Sequence, residues 1–170
     1  MIRVVIATAS TAVADQLHAI LAHDADIYIT AHTTQPAELS FLLPQCDVAL
    51  VDSAFHGRQT TRLIRKLTAE NEAARLIVFG LPRQTDKILP YLAAGARGYI
   101  LEGEATADML GKIKAAAADR AIVSPAVAAA VIKRIGNLAA ANPSLGGDQQ
   151  LERLAALTPF VLLAGLVAAG

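Results

Sequence analysis

The fold of this chain is decided by Asp47-Val48-Ala49-Leu50-Val51-Asp52, four apolar residues between two aspartates. A continuous apolar run of this length is typical of a central parallel strand that is buried on both faces. Asp52 ends the run and is followed by Ser53-Ala54-Phe55-His56-Gly57. Because ligands of open α/β sheets gather beyond the carboxyl ends of the strands, this order predicts a functional position at Asp52.

Other apolar runs of strand length alternate with amphipathic stretches through the first 120 residues. The strand candidates are residues 4–7, 27–30, 48–51, 76–79 and 98–101. The stretches between them repeat apolar residues at helical spacing, and Ser10 or Thr11 is a suitable N-cap for the first. Five strands that alternate with five helices predict an α/β protein with a doubly wound, five-stranded parallel sheet.

The pattern changes after residue 119. Ser124-Pro125 is typical of the cap and first turn of a sixth helix, and residues 142–148 are rich in Pro, Gly, Ser and Asn, as linkers are. We therefore predict a domain over residues 1–120, a helix with a linker over residues 121–150, and a separate last segment over residues 151–170.

Composition limits the possible classes of protein. The 170 residues are 54% hydrophobic and carry zero net charge, which permits a sizeable core and argues against chain-wide attraction to nucleic acid. The single cysteine, Cys46, excludes an internal disulfide, and we interpret it as a small hydrophobe that enters a strand. The apolar residues 160–170 are fewer than the roughly 20 needed to span a bilayer. We expect a cytoplasmic protein with no membrane contact.

Several segments resemble the receiver domain of bacterial response regulators. They are Ile2-Arg3-Val4-Val5-Ile6-Ala7, Asp47 to Asp52 with Phe55-His56-Gly57, and Ala94-Gly95-Ala96-Arg97-Gly98-Tyr99. Two later segments resemble the helix after the receiver and the start of the helix-turn-helix module in the NarL/LuxR-type subfamily, Ile122-Val123-Ser124-Pro125-Ala126-Val127 and Leu157-Thr158-Pro159. The resemblance implies a flavodoxin-like receiver fold and a role in two-component signalling and transcription regulation.

The resemblance also implies a phosphorylation site at Asp52. In a typical receiver, two adjacent acidic residues after the first strand hold Mg²⁺, a Thr or Ser ends the fourth strand, and a Lys ends the fifth. A phosphorylated carboxylate carries about two negative charges, which the metal and the Lys neutralise.

The residues at these positions depart from the typical set. Thr8 and Ala9 stand in place of the acidic pair, so we predict that the Mg²⁺ site is lost and that no cofactor is bound. Gly80 has no hydroxyl, and Glu102 reverses the charge of the Lys and would repel a phosphoryl group. We therefore predict that Asp52 is not a working phosphoacceptor.

For several of these residues, a purely structural role is the alternative to a functional one. We expect Asp52 to cap loop amides at the end of its strand, helped by Arg58 or Arg83. Tyr99 matches the aromatic residue that changes rotamer in typical receivers, and a half-buried strand tyrosine is its alternative. We place two histidines on a helix and two in loops, without a metal-binding set around Cys46: His18 and His23, then His32 and His56.

The last residues also depart from the resemblance. Leu157-Thr158-Pro159 is followed by the apolar residues 160–169, not by a charged helix and a recognition helix. We therefore expect this chain as given not to read DNA, and DNA contact would require a complete module. A short helix that is apolar on all sides needs burial. Packing on the receiver, pairing across a dimer, a truncated module and disorder all stay open.

Three functions are compatible with these observations. The first is an atypical, phosphorylation-independent response regulator that acts through protein contacts, either as a homodimer through its fourth helix, fifth strand and fifth helix or with a regulatory protein. The alternatives are a small-molecule sensor around Thr8, Asp52 and Gly80, and a conventional phosphoacceptor that controls a DNA-binding domain. An enzyme is not expected, because residues 7–11 form no Gly-rich phosphate loop and no nucleophile and base stand at a recognisable spacing.

Overall fold

A computed structural model describes residues 1–141 of the chain, with side chains through residue 137. The predicted linker at 142–148 and the segment 151–170 lie outside these residues. The elements are β1 Ile2–Ala7, α1 Thr11–Leu21, β2 Ile27–Thr33, α2 Pro36–Leu42, β3 Val48–Asp52, α3 Thr60–Glu70, β4 Leu76–Leu81, α4 Thr85–Ala93, β5 Gly98–Leu101, α5 Thr106–Ala117 and α6 Pro125–Ala141. Short 3-10 helices cover Leu43–Gln45 and Gly57–Gln59.

The five strands form one parallel sheet in the order β2-β1-β3-β4-β5. The strand β3 lies at its centre, and its residues Val48 to Val51 are fully buried because helices cover both faces. Each face has its own hydrophobic cluster, since successive side chains of a strand point to opposite sides. The predicted doubly wound α/β fold is confirmed.

Two histidines lie in elements other than those predicted. The strand β2 continues beyond Thr30 to Thr33, because a register shift at Val4/Val5 lets it stay paired with β1 as far as Ala7. His32 therefore lies in a strand and not in a loop. His23 lies just beyond the end of α1 and not on the helix. Among the described residues, no three His, Cys, Asp or Glu side chains are grouped as a metal site would need.

Asp47, the first residue of the stretch that decides the fold, joins the amino ends of β1 and β3. Its carboxylate accepts the backbone N–H of Arg3 at 2.7 Å and two guanidinium hydrogen bonds at 2.9 and 3.2 Å. The hydrogen bonds from the Arg3 side chain, followed by the one from its backbone, lower the pKa of Asp47. Next to it, burial raises the pKa of Cys46 to about 11, so this thiol behaves as the predicted small hydrophobe.

The helix α6 begins as predicted and packs against α4. The Ser124 hydroxyl accepts the backbone N–H of Val127 at 3.3 Å, which is an N-cap, and Pro125 takes the first helical position. Val127 is buried in the cluster that also contains Leu92 of α4. Ile132, further along the same helix, is exposed. Within residues 1–141, no helix is long and apolar enough to cross a membrane.

Candidate functional site

The carboxyl ends of three neighbouring strands bring Thr8, Asp52 and Gly80 together. The strand β3 lies between β1 and β4 in the sheet, so the residue after β1 and a residue near the end of β4 flank Asp52. Ala7 pairs with Val51, and Asp52 pairs with Phe79. The sheet therefore places these three sequence-predicted residues in one site.

Both carboxylate oxygens of Asp52 are engaged. The hydroxyl of Thr8 donates to Oδ2 at 2.7 Å, and the backbone N–H of Ala54 donates to Oδ1 at 2.8 Å. The amide cap predicted for Asp52 is thus confirmed. The predicted help from Arg58 or Arg83 was wrong: in the described part of the chain neither side chain bonds to Asp52, and the buried hydroxyl of Thr8 takes that place.

Thr8 is held from several directions and is fully buried. Its hydroxyl oxygen accepts the backbone N–H of Ser10 at 3.2 Å, and Ser10 is the N-cap of α1. Its carbonyl oxygen accepts a hydrogen bond from His32 Nε2 at 3.1 Å. Sequence reasoning treated Thr8 as a lost metal ligand and as part of an alternative small-molecule pocket, but not as a hydrogen-bond partner of Asp52. The available signal was a hydroxyl and a carboxylate at the ends of adjacent parallel strands.

Gly80 departs from the typical receiver residue in its backbone conformation as well as in its lack of a side chain. Its φ is +72°, in the left-handed region, where the ladder between β4 and β5 shifts register. A Cβ built at this position would lie 3.6 Å from Ser53 Oγ and 3.8 Å from Asp52 Oδ1, which is ordinary contact. Space is therefore available for a hydroxyl residue, but the backbone conformation disfavours one. The Gly80 carbonyl accepts the Ser53 hydroxyl at 2.9 Å.

A tyrosine closes the same edge of the sheet from α4. The Tyr91 hydroxyl donates to the carbonyl oxygen of Ser53 at 3.3 Å. Burial, and to a smaller extent the Asp52 carboxylate, raise the pKa of Tyr91. The loop after β3 is therefore tied to both β4 and α4.

A lysine of α5 lies near the end of β5, and it is already paired with a glutamate. Glu102 is exposed, and its backbone N–H donates to the carbonyl of Leu81 at 2.9 Å. Glu104 accepts the N–H of Leu101 at 2.7 Å and forms an ion pair with Lys112 at 2.6 Å. The Lys112 and Glu104 side chains are only 12% and 8% exposed. Sequence reasoning missed this pair, because a loop and a helical turn separate its members.

Tyr99 is buried at 2% exposure, so the half-buried strand tyrosine that stood as the alternative to a switch residue was wrong. Its ring lies 4.6 Å from Lys112 Nζ, in the geometry of a cation–π contact. Its hydroxyl accepts the backbone N–H of Ser124 at 3.0 Å. Because Ser124 caps α6, the position of Tyr99 and the docking of α6 are physically linked.

Comparison with known proteins gives matches in structure. The first is a two-component response regulator of the LuxR family from Aurantimonas sp. SI85-9A1, with 20% identity and a TM-score of 0.67 over 79% of this chain and 97% of that one. The receiver domain of NarL from Mycobacterium tuberculosis is 16% identical, with a TM-score of 0.63 over 70% and 98%. The chain has the receiver fold.

A third match is the isolated receiver domain of RcsB from Salmonella enterica serovar Typhimurium, solved with the phosphomimetic BeF3⁻. It is 18% identical, with a TM-score of 0.59 over 67% of this chain and 86% of that one. No protein-family model and no curated protein matches the chain in sequence. The receiver fold that the sequence resemblance implied is confirmed at the level of structure.

Proposed function

We propose that this chain is an atypical receiver of a response regulator, which works without phosphorylation and signals through protein contacts. The observation that carries the proposal is the hydrogen bond from the buried Thr8 hydroxyl to Asp52. It gives the carboxylate a structural partner directly after the first strand, at a position where a typical receiver has an acidic metal ligand.

Three features of the domain oppose phosphoryl transfer to Asp52. Thr8 and Ala9 provide no anionic oxygen for a divalent cation. Gly80 provides no hydroxyl and has a backbone conformation that disfavours a residue with one. The nearly buried Lys112 is paired with Glu104, so its charge is already neutralised. A phosphoryl group on Oδ2 of Asp52 would displace the Thr8 hydrogen bond, and it would add about two negative charges that no Lys or Arg in contact with Asp52 among the described side chains neutralises.

The contacts of Tyr99 support a receiver that is held in one state. An outward rotation of its side chain would lose the hydrogen bond to Ser124 N and the contact with Lys112. Each is worth about 1 kcal/mol, so the inward rotamer is favoured by roughly 2 kcal/mol before the burial of the ring is counted. Phosphate is then not needed to set this side chain.

Output through the face formed by α4, β5 and α5 is part of the proposal. One similar structure, 17% identical with a TM-score of 0.64, is described as two RcsB dimers bound to two parallel DNAs, which supports dimerisation for proteins of this fold. In the present structure α6 packs against α4. A dimer that uses this face would therefore include α6 in its interface.

A small-molecule sensor at Thr8, Asp52 and Gly80 has less support. Thr8 is fully buried and is bonded to Asp52 across the space that a ligand would need. Binding there would have to break a charge-assisted hydrogen bond, the stronger class of such bonds.

The proposal is tested by adding Mg²⁺ and beryllofluoride to ¹⁵N-labelled protein. We expect the amide resonance of Ala54, which reports on Asp52, to stay in place. A saturable shift at Ala54 that is absent from Asp52→Ala would show that the pocket accepts a phosphoryl mimic, and the proposal would be wrong. Asp52→Ala is the matched control, since it removes the carboxylate that would bind beryllofluoride.

A further inference from the structure

A groove between α2 and α3 lies on a different surface from the Asp52 site. It is an open cavity of about 540 Å³ with a mixed apolar and basic lining. Eight residues line it: Pro36, Ala37, Ser40, His56, Gln59, Arg62, Leu63 and Lys66.

The α2 wall of the groove is mainly apolar. Ala37 and Ser40 line the cavity, and Phe41 is four residues from Ala37 and so lies on the same side of the helix. Phe41 is 72% exposed, the largest exposed fraction of any aromatic residue in the part of the chain whose side chains are described. This wall therefore offers an anchoring side chain at its rim.

The α3 wall is basic. Arg62, Leu63 and Lys66 share one face of the helix, with Leu63 packed against the core as the floor. Lys66 pairs with Glu70 at 3.7 Å, but both side chains are more than half exposed, so the pair is weak. Arg62 has no ion-pair partner within residues 1–137.

Further cations on α3 and just before it strengthen this charge. Arg58 and Arg65 are exposed and also lack ion-pair partners among the described side chains. The chain as a whole is neutral, so the positive charge here is local. An apolar anchor beside a local excess of cations is complementary to a helix with one apolar and one acidic face.

We propose that this groove binds an acidic amphipathic helix of a partner protein. The apolar face of that helix contacts Phe41 and Leu63, and its carboxylates pair with Arg62 and Lys66. A second copy of this chain fits poorly, because a two-fold contact would place the same cations against each other. Nucleic acid fits less well, because one wall is apolar and the chain is neutral overall. The inference does not depend on whether Asp52 is phosphorylated.

The test is a titration of the ¹⁵N-labelled full chain with two synthetic peptides of about four helical turns. Both have Leu and Phe on one face; the first has Glu on the other face and the second has Lys. We expect saturable shifts within residues 36–41 and 59–66 for the Glu peptide, and much weaker binding of the Lys peptide. Absence of binding, equal binding of both peptides, or shifts on another face would overturn the proposal.

Variants locate the contacts. Arg62→Glu should weaken binding of the Glu peptide by about fivefold, because an attraction becomes a repulsion. Phe41→Ser should weaken it independently of salt concentration. Arg120→Glu makes the same charge change at an exposed position after α5 and should leave the affinity unchanged. If Arg120→Glu weakens binding as much as Arg62→Glu, the attraction is non-specific and the groove is not the site.

Discussion

Replacing Thr8 with valine tests the structural role of Asp52. The change keeps the shape of a fully buried side chain and removes only its hydroxyl. That hydroxyl donates to Asp52 at 2.7 Å and accepts from Ser10 N at 3.2 Å. The variant therefore leaves one carboxylate oxygen and one helix N-terminal amide without their partners.

The expected cost follows from these two bonds. A hydrogen bond to a charged group contributes about 1.5–3 kcal/mol, and a bond between neutral groups about 1 kcal/mol. Asp52 is only partly buried, so water replaces some of the loss at its oxygen. We expect Thr8→Val to lower the free energy of unfolding by about 2 kcal/mol, which corresponds to roughly 4–8 °C in Tm for a chain of this size.

Urea denaturation of Thr8→Val, Asp52→Ala and the double variant measures the coupling of the two side chains. We expect each single variant to be less stable than the parent protein. The double variant should lose less than the sum, with an interaction energy of about 1.5 kcal/mol.

The direction in which Asp52→Ala changes the free energy of unfolding is the decisive result. In a pocket of clustered carboxylates, removal of one relieves repulsion and stabilises the fold. Here the carboxylate is a hydrogen-bond acceptor for Thr8 and Ala54, so its removal destabilises the fold. An Asp52→Ala variant that is more stable than the parent, or a coupling energy near zero, would refute this reasoning.

Three further predictions concern other parts of the domain. Tyr99→Phe removes the acceptor for the backbone N–H of Ser124, the N-cap residue of α6, so we expect a loss of about 1 kcal/mol and faster hydrogen exchange in α6. Unchanged exchange would contradict the link between Tyr99 and α6. Gly95→Ala places a Cβ 2.7 Å from Thr68 Oγ1 on a residue whose φ is +105°, and it should lower the free energy of unfolding in urea by about 3 kcal/mol. The control Gly103→Ala should cost less, because φ is +68° there and the space around the new Cβ is open. Folding lowers the pKa of Asp47, so the stability that this carboxylate contributes is present above the ordinary carboxyl pKa of about 4 and is lost as the pH falls through the folded-state pKa. Asp47→Asn should therefore reduce the loss of unfolding free energy at acid pH, as measured by unfolding over a range of pH.

The sheet was predictable because its signals are local. The apolar run before Asp52, the cap at Ser10 and the Ser124-Pro125 helix start all depend on neighbouring residues, and all three are present in the structure. The boundary of β2 was wrong because its extension depends on pairing with β1, which β2's own sequence does not report.

The contacts within the site were harder to predict. The sequence showed which typical receiver residues are replaced, but not that Thr8 bonds to Asp52, since that depends on the rotamer of a side chain on another strand. The Lys112–Glu104 pair and the bond from Ser124 N to Tyr99 depend on how α5 and α6 pack on β5. Such contacts arise from tertiary packing and have no periodic pattern in the sequence.

Intact-mass measurement after incubation with acetyl phosphate and Mg²⁺ tests the central claim most directly. With Thr8 bonded to Asp52, and with Gly80 and Glu102 at the hydroxyl and lysine positions, we predict no stoichiometric gain in mass. A gain of one phosphoryl group per chain that disappears in Asp52→Ala would contradict the account and make Asp52 a working phosphoacceptor.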